Sequence, residues 1–584
     1  MVERYRVLGY TPDDARLRAD RHTNSVLPAT YFSSRQDLER RREELRFNLR
    51  MAAGLYPWPE KTPLNARYEP VGEYEGYSVQ KVMFESFPGF SSTGNLYLPR
   101  PMPEKAPAIL NVIGHWDKQR LTRESRADYP QQLANFARMG FICLVTDMIG
   151  MVDSLQISHG YGRGEKELWQ SNGLGVQLWN NIRALDLLCS MPEVDEKNIG
   201  VTGASGGGSQ TLFLSLADDR VKAAAPINMI SFHMQGGCAC ENAPGLRRCT
   251  DNVEMCAVLA PRPLFLAGST GDWTKYLETA ELPAVLDAYR QYDAENMVEH
   301  FYQDAEHQYN EKTRHLVYSF FARHLMGRDP GWVEQSIETG DLLDLTWFRG
   351  AGHAPGFEND EEFFDFHKAE RRAAVAKLAS DEKRKMLAWI TGVKKTGFRL
   401  ISVSVEERGA VRIEKSLVCG EYGQRLPLVR LIPAGWDGGD VLLAFSDRGK
   451  DCLGNADVQA YLRSGYAVIS GDLFLTGEFA GAVRVVAGTE DDNRFFSAFH
   501  DSDDALRIQD AALLMSVAKS MGNRLTVWAD GTVSGAAACA LALSEDVSWA
   551  RLNERMEELP VTGIQLLGGV KGCLELIRCP VELK

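Results

Sequence analysis

From residue 108 to residue 326 the chain alternates two kinds of apolar pattern. Short, nearly unbroken apolar runs read as strands: AILNVIG at 108–114, FICLVTD at 141–147, IGVTG at 199–203, KAAAPIN at 222–228, PLFLAG at 263–268 and VEHFYQ at 298–303. Between them lie stretches with apolar positions at helical spacing, predicting helices over 131–139, 176–189, 210–217, 280–292 and 313–326. Continuous apolar strands separated by helices specify a parallel sheet covered on both faces. Ahead of this series, residues 35–54 place leucines and Phe47 among charges as an amphipathic helix ended by Gly54. Residues 77–86 and 94–98 alternate like antiparallel hairpin strands. Residues 331–397 read as a separate helical linker, with the charged run 360–389 as a solvated connecting helix.

From about Phe398 the same alternation resumes. The stretch RLPLVRLIPAGWDGGDVLLAFSDRGKD can be laid over GNLYLPRPMPEKAPAILNVIGHWD strand for strand. Continuing the overlay brings Asp472 onto Asp147, Val527 onto Val201 and Gly531 onto Ser205. The series stops before both later strands of the first half could be repeated, so a truncated copy is expected. An unfinished sheet leaves an edge and an apolar face, so this copy should pack on the first domain or on a second subunit, which allows a homo-oligomer.

Composition narrows the function. With 584 residues the chain exceeds one core, and 44% hydrophobic residues is ordinary for a soluble globular protein. A net charge of -14 argues against nucleic acid or an anionic membrane as partner. The N-terminal residues carry charges throughout with no apolar signal core, and the cysteines are scattered; a cytoplasmic protein is expected.

The candidate chemistry centres on Gly203-Ala204-Ser205-Gly206-Gly207, a Gly-x-Ser-x-Gly pentad. Alone it is a weak signal. Here it sits between a β-branched run and an apolar helix, the strand–turn–helix setting that lifts a serine hydroxyl clear of a sheet. A serine needs a base, and the base an orienting acid; in parallel-sheet hydrolases they follow in the order Ser, Asp or Glu, His. Asp272 comes just after PLFLAG, in GSTGDW, and His307 just after VEHFYQ, in DAEHQYN. The competing role for Asp272 is a helix cap. Two N–H donors must hold the oxyanion: Gly206 supplies one, and the loop Gly114-His115-Trp116-Asp117 the other, from His115 or Trp116.

These residues resemble the α/β-hydrolase superfamily. The pentad, the stretch 226–247 (PINMISFHMQGGCACENAPGLR), GSTGDW and DAEHQYN, occurring in order, resemble the acetyl xylan esterase-like carboxylesterases over residues 35–330. The resemblance implies Ser205 as nucleophile, Asp272 as acid and His307 as base. The expected architecture is therefore an α/β-hydrolase domain at 1–330, the linker at 331–397, and a degenerate, non-catalytic α/β-hydrolase-like domain at 398–584.

Two long loops should wall the pocket. In the first, Cys238 and Glu241 or Asn242 are candidate substrate contacts beside Trp116 and Trp273; no Cys/His pair at ligand spacing lies nearby, so neither metal nor cofactor is expected. In the second, 151–173, Tyr161 and Trp169 would suit stacking on sugar rings or core packing. The expected reaction is hydrolysis of short acyl esters, acetyl above all, on a sugar or similar alcohol. A peptidase, a lactone or methyl-uronate ester hydrolase, and a non-catalytic binding protein of the same fold remain as alternatives.

Overall fold

The computed structural model describes residues 3–328, 331–338 and 340–584. The chain forms two compact units: the first holds residues 22–370 with 494–499, and the second holds the stretch up to Arg21 with residues 371–493 and 500–584. This division corrects the expected one, whose boundary at 330 lies outside the described residues. The N-terminal stretch belongs with the C-terminal unit because its polar groups are claimed there. The Arg16 guanidinium is buried between Asp14 and Asp510, at 2.8 and 2.6 Å, and the N–H groups of Val7 and Leu8 donate to the Glu478 carboxylate.

The region 331–397 is no separate linker either, since the two units share it. Its helical run breaks into two helices, Asp360–Ala376 and Ser380–Thr391. The first is not solvated. Phe363 is fully buried and meets the rings of Phe87, Phe90 and Tyr161 at 5.4–5.6 Å, and even Arg371 near the end of the helix is buried.

The first unit is built on a nine-stranded sheet. Its strands are β1 (Arg67–Tyr74), β2 (Tyr77–Phe87), β3 (Phe90–Pro99), β4 (Ala106–Val112), β5 (Ile142–Thr146), β6 (Val194–Ala204), β7 (Val221–Ile227), β8 (Leu264–Gly271) and β9 (Val298–Glu306). They lie in the order β9-β8-β7-β6-β4-β5-β3-β2-β1. Strands β1 to β3 are antiparallel, and from β5 across to β9 every neighbouring pair is parallel. The expected series is present, and β1, unread in the sequence, extends the hairpin. Four crossover helices cover the faces: α1 (Tyr129–Met139), α2 (Gly173–Ser190), α3 (Gly206–Ala217) and α4 (Leu282–Arg290); α5 (Glu311–Met326) follows β9. Ile109, Leu144, Val201, Ala225 and Leu266 fill the buried strands between them.

A buried ion cluster fixes the strand ends. Arg120 reaches Asp147 and Asp153, both at 2.7 Å, with every side chain at most 1% exposed. Removing one partner of such a cluster strands the others. Arg120→Met should therefore destabilise the first unit by about 3–5 kcal/mol, read as a lower urea midpoint; an unchanged midpoint would show that the pairing is idle.

The second unit carries an eight-stranded sheet of β10 (Phe398–Arg408), β11 (Val411–Gly420), β12 (Arg425–Pro433), β13 (Asp440–Ser446), β14 (Ala467–Gly471), β15 (Arg524–Asp530), β16 (Val547–Leu552) and β17 (Val581–Leu583). Its order, β10-β11-β12-β14-β13-β15-β16-β17, is that of the first sheet without the last strand. The register agrees as well: Leu110 faces Val201 in one sheet, and Leu443 faces Val527 in the other. At the end of β14, Asp472 is paired with buried Lys450, as Asp147 is with Arg120. Gly531 stands four residues past Val527, at φ 83°, where Ser205 stands past Val201 at φ 62°. A side chain there would meet Asp447, whose carboxylate accepts the N–H groups of Thr532 and Val533, each at 2.9 Å. An internal carboxylate thus occupies the helix N-terminus that follows Gly531.

Candidate active site

The strained backbone of Ser205, at φ 62° and ψ -127°, forms the apex between β6 and α3. An L-residue adopts such an angle only where its surroundings enforce it, which makes the position informative. Close packing on all sides supplies the enforcement. A Cβ on Gly203 would come within 2.2 Å of the Val112 carbonyl oxygen, and one on Gly207 within 2.4 Å of the same atom. The Ser205 N–H donates to the Ile227 carbonyl of β7 at 3.1 Å. Its hydroxyl makes no hydrogen bond among the described residues and heads α3.

Asp272 follows β8, with its carboxylate fully buried. One oxygen accepts from Asn228 Nδ2 at 2.8 Å and Thr274 Oγ1 at 3.0 Å, and lies 3.1 Å from His307 Nδ1; the other accepts the Trp273 N–H at 2.7 Å. These contacts tie it to the His307 ring as well as to the turn that follows β8. His307 follows β9 with its ring between two indoles. Trp116 stacks at 5.8 Å and 10°, and Trp273 lies at 4.4 Å and 37°. Its Nε2 is buried and bonded to nothing among the described residues. The loop carrying His307 is tied back to β6 through the Tyr309 hydroxyl, 2.8 Å from Thr202 Oγ1. Trp116 makes the second connection, since its neighbour Gly114 packs against Ser205. The three residues expected to act together therefore share one end of one sheet.

The other expectations divide. Gly206 is the first residue of α3, where a helix N–H has no intrahelical partner. Trp116 cannot complete the oxyanion pair as expected, because its N–H turns back onto the Gly114 carbonyl at 3.0 Å. The His115 N–H has no such commitment among the described residues. Glu241 is not a free substrate contact either: buried, it accepts from Ser209 Oγ at 2.7 Å and from the Gly237 N–H at 3.1 Å, bracing the loop on α3. Asn242 is likewise spent on the carbonyls of Gly236 and Cys238. Tyr161 and Trp169 are buried in the core and offer no stacking face.

One grouping escaped the sequence. The loop after β5 brings His159 against the C-x-C loop after β7 and the His115 loop after β4. His159 Nε2 lies 2.9 Å from His115 Nε2 and 3.0 Å from Cys238 Sγ, and Cys240 Sγ lies 3.4 Å from His115 Nε2. Both cysteines are free. The contact with Cys240 and the two imidazoles hold the Cys238 thiol far below its usual range, while the same contact and burial push Cys240 up. The expectation that no Cys/His pair lies near the C-x-C loop is overturned: spacing along one loop could not reveal ligands drawn from three.

Comparison with known proteins adds similarities to esterases. Residues 60–232 match the model of the acetyl xylan esterase family, AXE1. Among solved structures, methylesterase BT1017 is 27% identical, matching 59% of this chain and 77% of its own, with a TM-score of 0.48. An acetyl xylan esterase from Paenibacillus sp. R4 is 19% identical over 51% of this chain and 97% of its own, with a TM-score of 0.34. A glucuronoyl esterase from Solibacter usitatus is 17% identical over 55% of this chain and 99% of its own, with a TM-score of 0.39.

Proposed function

We propose that this chain, whose residues 60–232 carry the acetyl xylan esterase family match within an α/β-hydrolase unit, is a serine carboxylesterase that removes short acyl groups, acetyl above all, from carbohydrates. The observation that carries the reading is the strained Ser205 apex at the same end of the sheet as a His307 ring bound to buried Asp272, its Nε2 free of any partner among the described residues. Ser205 Oγ attacks the ester carbonyl while His307 Nε2 takes its proton, and the oxyanion rests on the N–H groups of Gly206 and His115. His307 then gives the proton to the departing sugar hydroxyl. Water enters, loses its proton to the same nitrogen and releases the carboxylic acid from the acyl-enzyme. Trp116 and Trp273 exclude water from the imidazole and face the substrate.

The second unit is read as non-catalytic, on the strength of Gly531 and the Asp447 carboxylate seated beyond it. A cytoplasmic setting belongs to the reading, supported by thiols buried singly in strands and helices, such as Cys143 and Cys256. No helix among the described residues is long and apolar enough to cross a membrane.

Two measurements test this. Acetyl aryl esters and acetylated xylo-oligosaccharides should be cleaved with higher kcat/KM than octanoyl esters, a methyl uronate or a peptide amide; preference for octanoyl or for the uronate would replace the acetyl reading. A fluorophosphonate should label Ser205 alone, and a labelled serine beyond residue 398 would overturn the non-catalytic assignment.

A further inference from the structure

We propose that His115, His159, Cys238 and Cys240 form a tetrahedral zinc site that rivets together the three loops walling Ser205. The four donor atoms all lie within 4.8 Å of one another. In a tetrahedral site with Zn–N about 2.0 Å and Zn–S about 2.3 Å, ligand atoms stand about 3.3–3.8 Å apart. The separations of 2.9, 3.0 and 3.4 Å are shorter than this, as expected for donors hydrogen-bonded to one another, and the remaining pairs lie within 4.8 Å, so the four donors already converge and must spread and close modestly to surround an ion.

The tautomer of His159 points the same way. Its Nδ1 lies 2.9 Å from the Ile149 carbonyl oxygen, an acceptor only, so Nδ1 carries a proton and Nε2 of the neutral ring is the nitrogen that can ligate beside the other three donors. An outer hydrogen bond of this kind is the usual support of a ligating imidazole. Two thiolates and two imidazoles suit zinc better than magnesium or calcium, which take oxygen ligands. Four protein ligands close the coordination sphere, so the ion positions groups and does not itself contact the ester. What it would position is specific. The His115 ring packs on Gly206, where a Cβ would come within 2.5 Å of its Cε1, and His115 also carries the second oxyanion N–H. The metal content can be tested whether or not the esterase reading holds.

The full-length protein, purified from zinc-supplemented cells and stripped of loose metal on a chelating resin, should retain about one zinc per chain by elemental analysis. Cys238→Ser/Cys240→Ser and, more gently, His159→Gln should each retain at least about tenfold less. Replacing zinc by cobalt(II) in the wild type should produce thiolate-to-metal charge-transfer bands and intense visible bands of a tetrahedral ion. A strong chelator should lower the melting temperature of the wild type and leave that of the double variant unchanged. Wild-type protein holding under about a tenth of an equivalent of zinc, and showing no charge-transfer band with cobalt, would overturn the site. So would zinc retained in full by the double variant. Because the cobalt spectrum is read on wild-type protein, misfolding of a variant cannot hide the answer.

Discussion

Replacing Ser205 by alanine should leave a folded protein whose turnover of aryl acetates falls by about 10⁴-fold or more. Chemistry sets the size of the loss: without Oγ no acyl-enzyme forms, and only the preorganised N–H donors and binding remain to assist water. The fold should barely register the change. Ser205 Oγ makes no hydrogen bond among the described residues, and the strain at φ 62° is imposed by Gly203, Gly207 and the Val112 carbonyl, which the variant keeps. The paired measurement is kcat beside the thermal transition. If kcat stayed above about a tenth of the wild-type value, the nucleophile would lie elsewhere.

The Ser205 turn was legible because its physics is local. A residue held at positive φ between a strand and a helix needs small neighbours within a few positions, and the pentad writes them consecutively. The placement of Asp272 and His307 was legible for a topological reason: parallel strands put their carboxyl ends on one rim, so a residue just past each strand joins the others there. The second sheet was readable by the same logic, since strand order follows from the repeated alternation of patterns.

What the sequence withheld depends on partners far away along the chain. Trp116 reads as an oxyanion donor until its N–H closes on Gly114, a turn two residues long that no periodicity marks. Glu241 reads as a pocket residue until Ser209, on α3 earlier in the chain, claims it. Arg16 looks like one more charge in a polar leader, yet its partner Asp510 lies 494 positions on. The His115, His159, Cys238 and Cys240 group is the sharpest case. Its ligands come from loops after three different strands, so the only available signal was the C-x-C pair together with histidines placed past the ends of neighbouring parallel strands.

Asp272→Asn should lower kcat by about 10³–10⁴-fold while leaving KM little changed. The carboxylate accepts on both oxygens, from Asn228, Thr274 and the Trp273 N–H, with His307 Nδ1 at 3.1 Å. An amide cannot satisfy all of these, because one of its two ends donates. With its oxygen toward the Trp273 N–H, its NH₂ faces His307 Nδ1, which must then surrender its proton to become the acceptor. The imidazole is left protonated at Nε2, the atom that has to take the serine proton, and the base is lost without any change in the walls that bind substrate. A purely structural role would behave differently, shifting the melting temperature while kcat held. If kcat were nearly unchanged, the acid would have to be sought in Glu306, whose carboxylate lies against Gly271 at the end of the same strand pair.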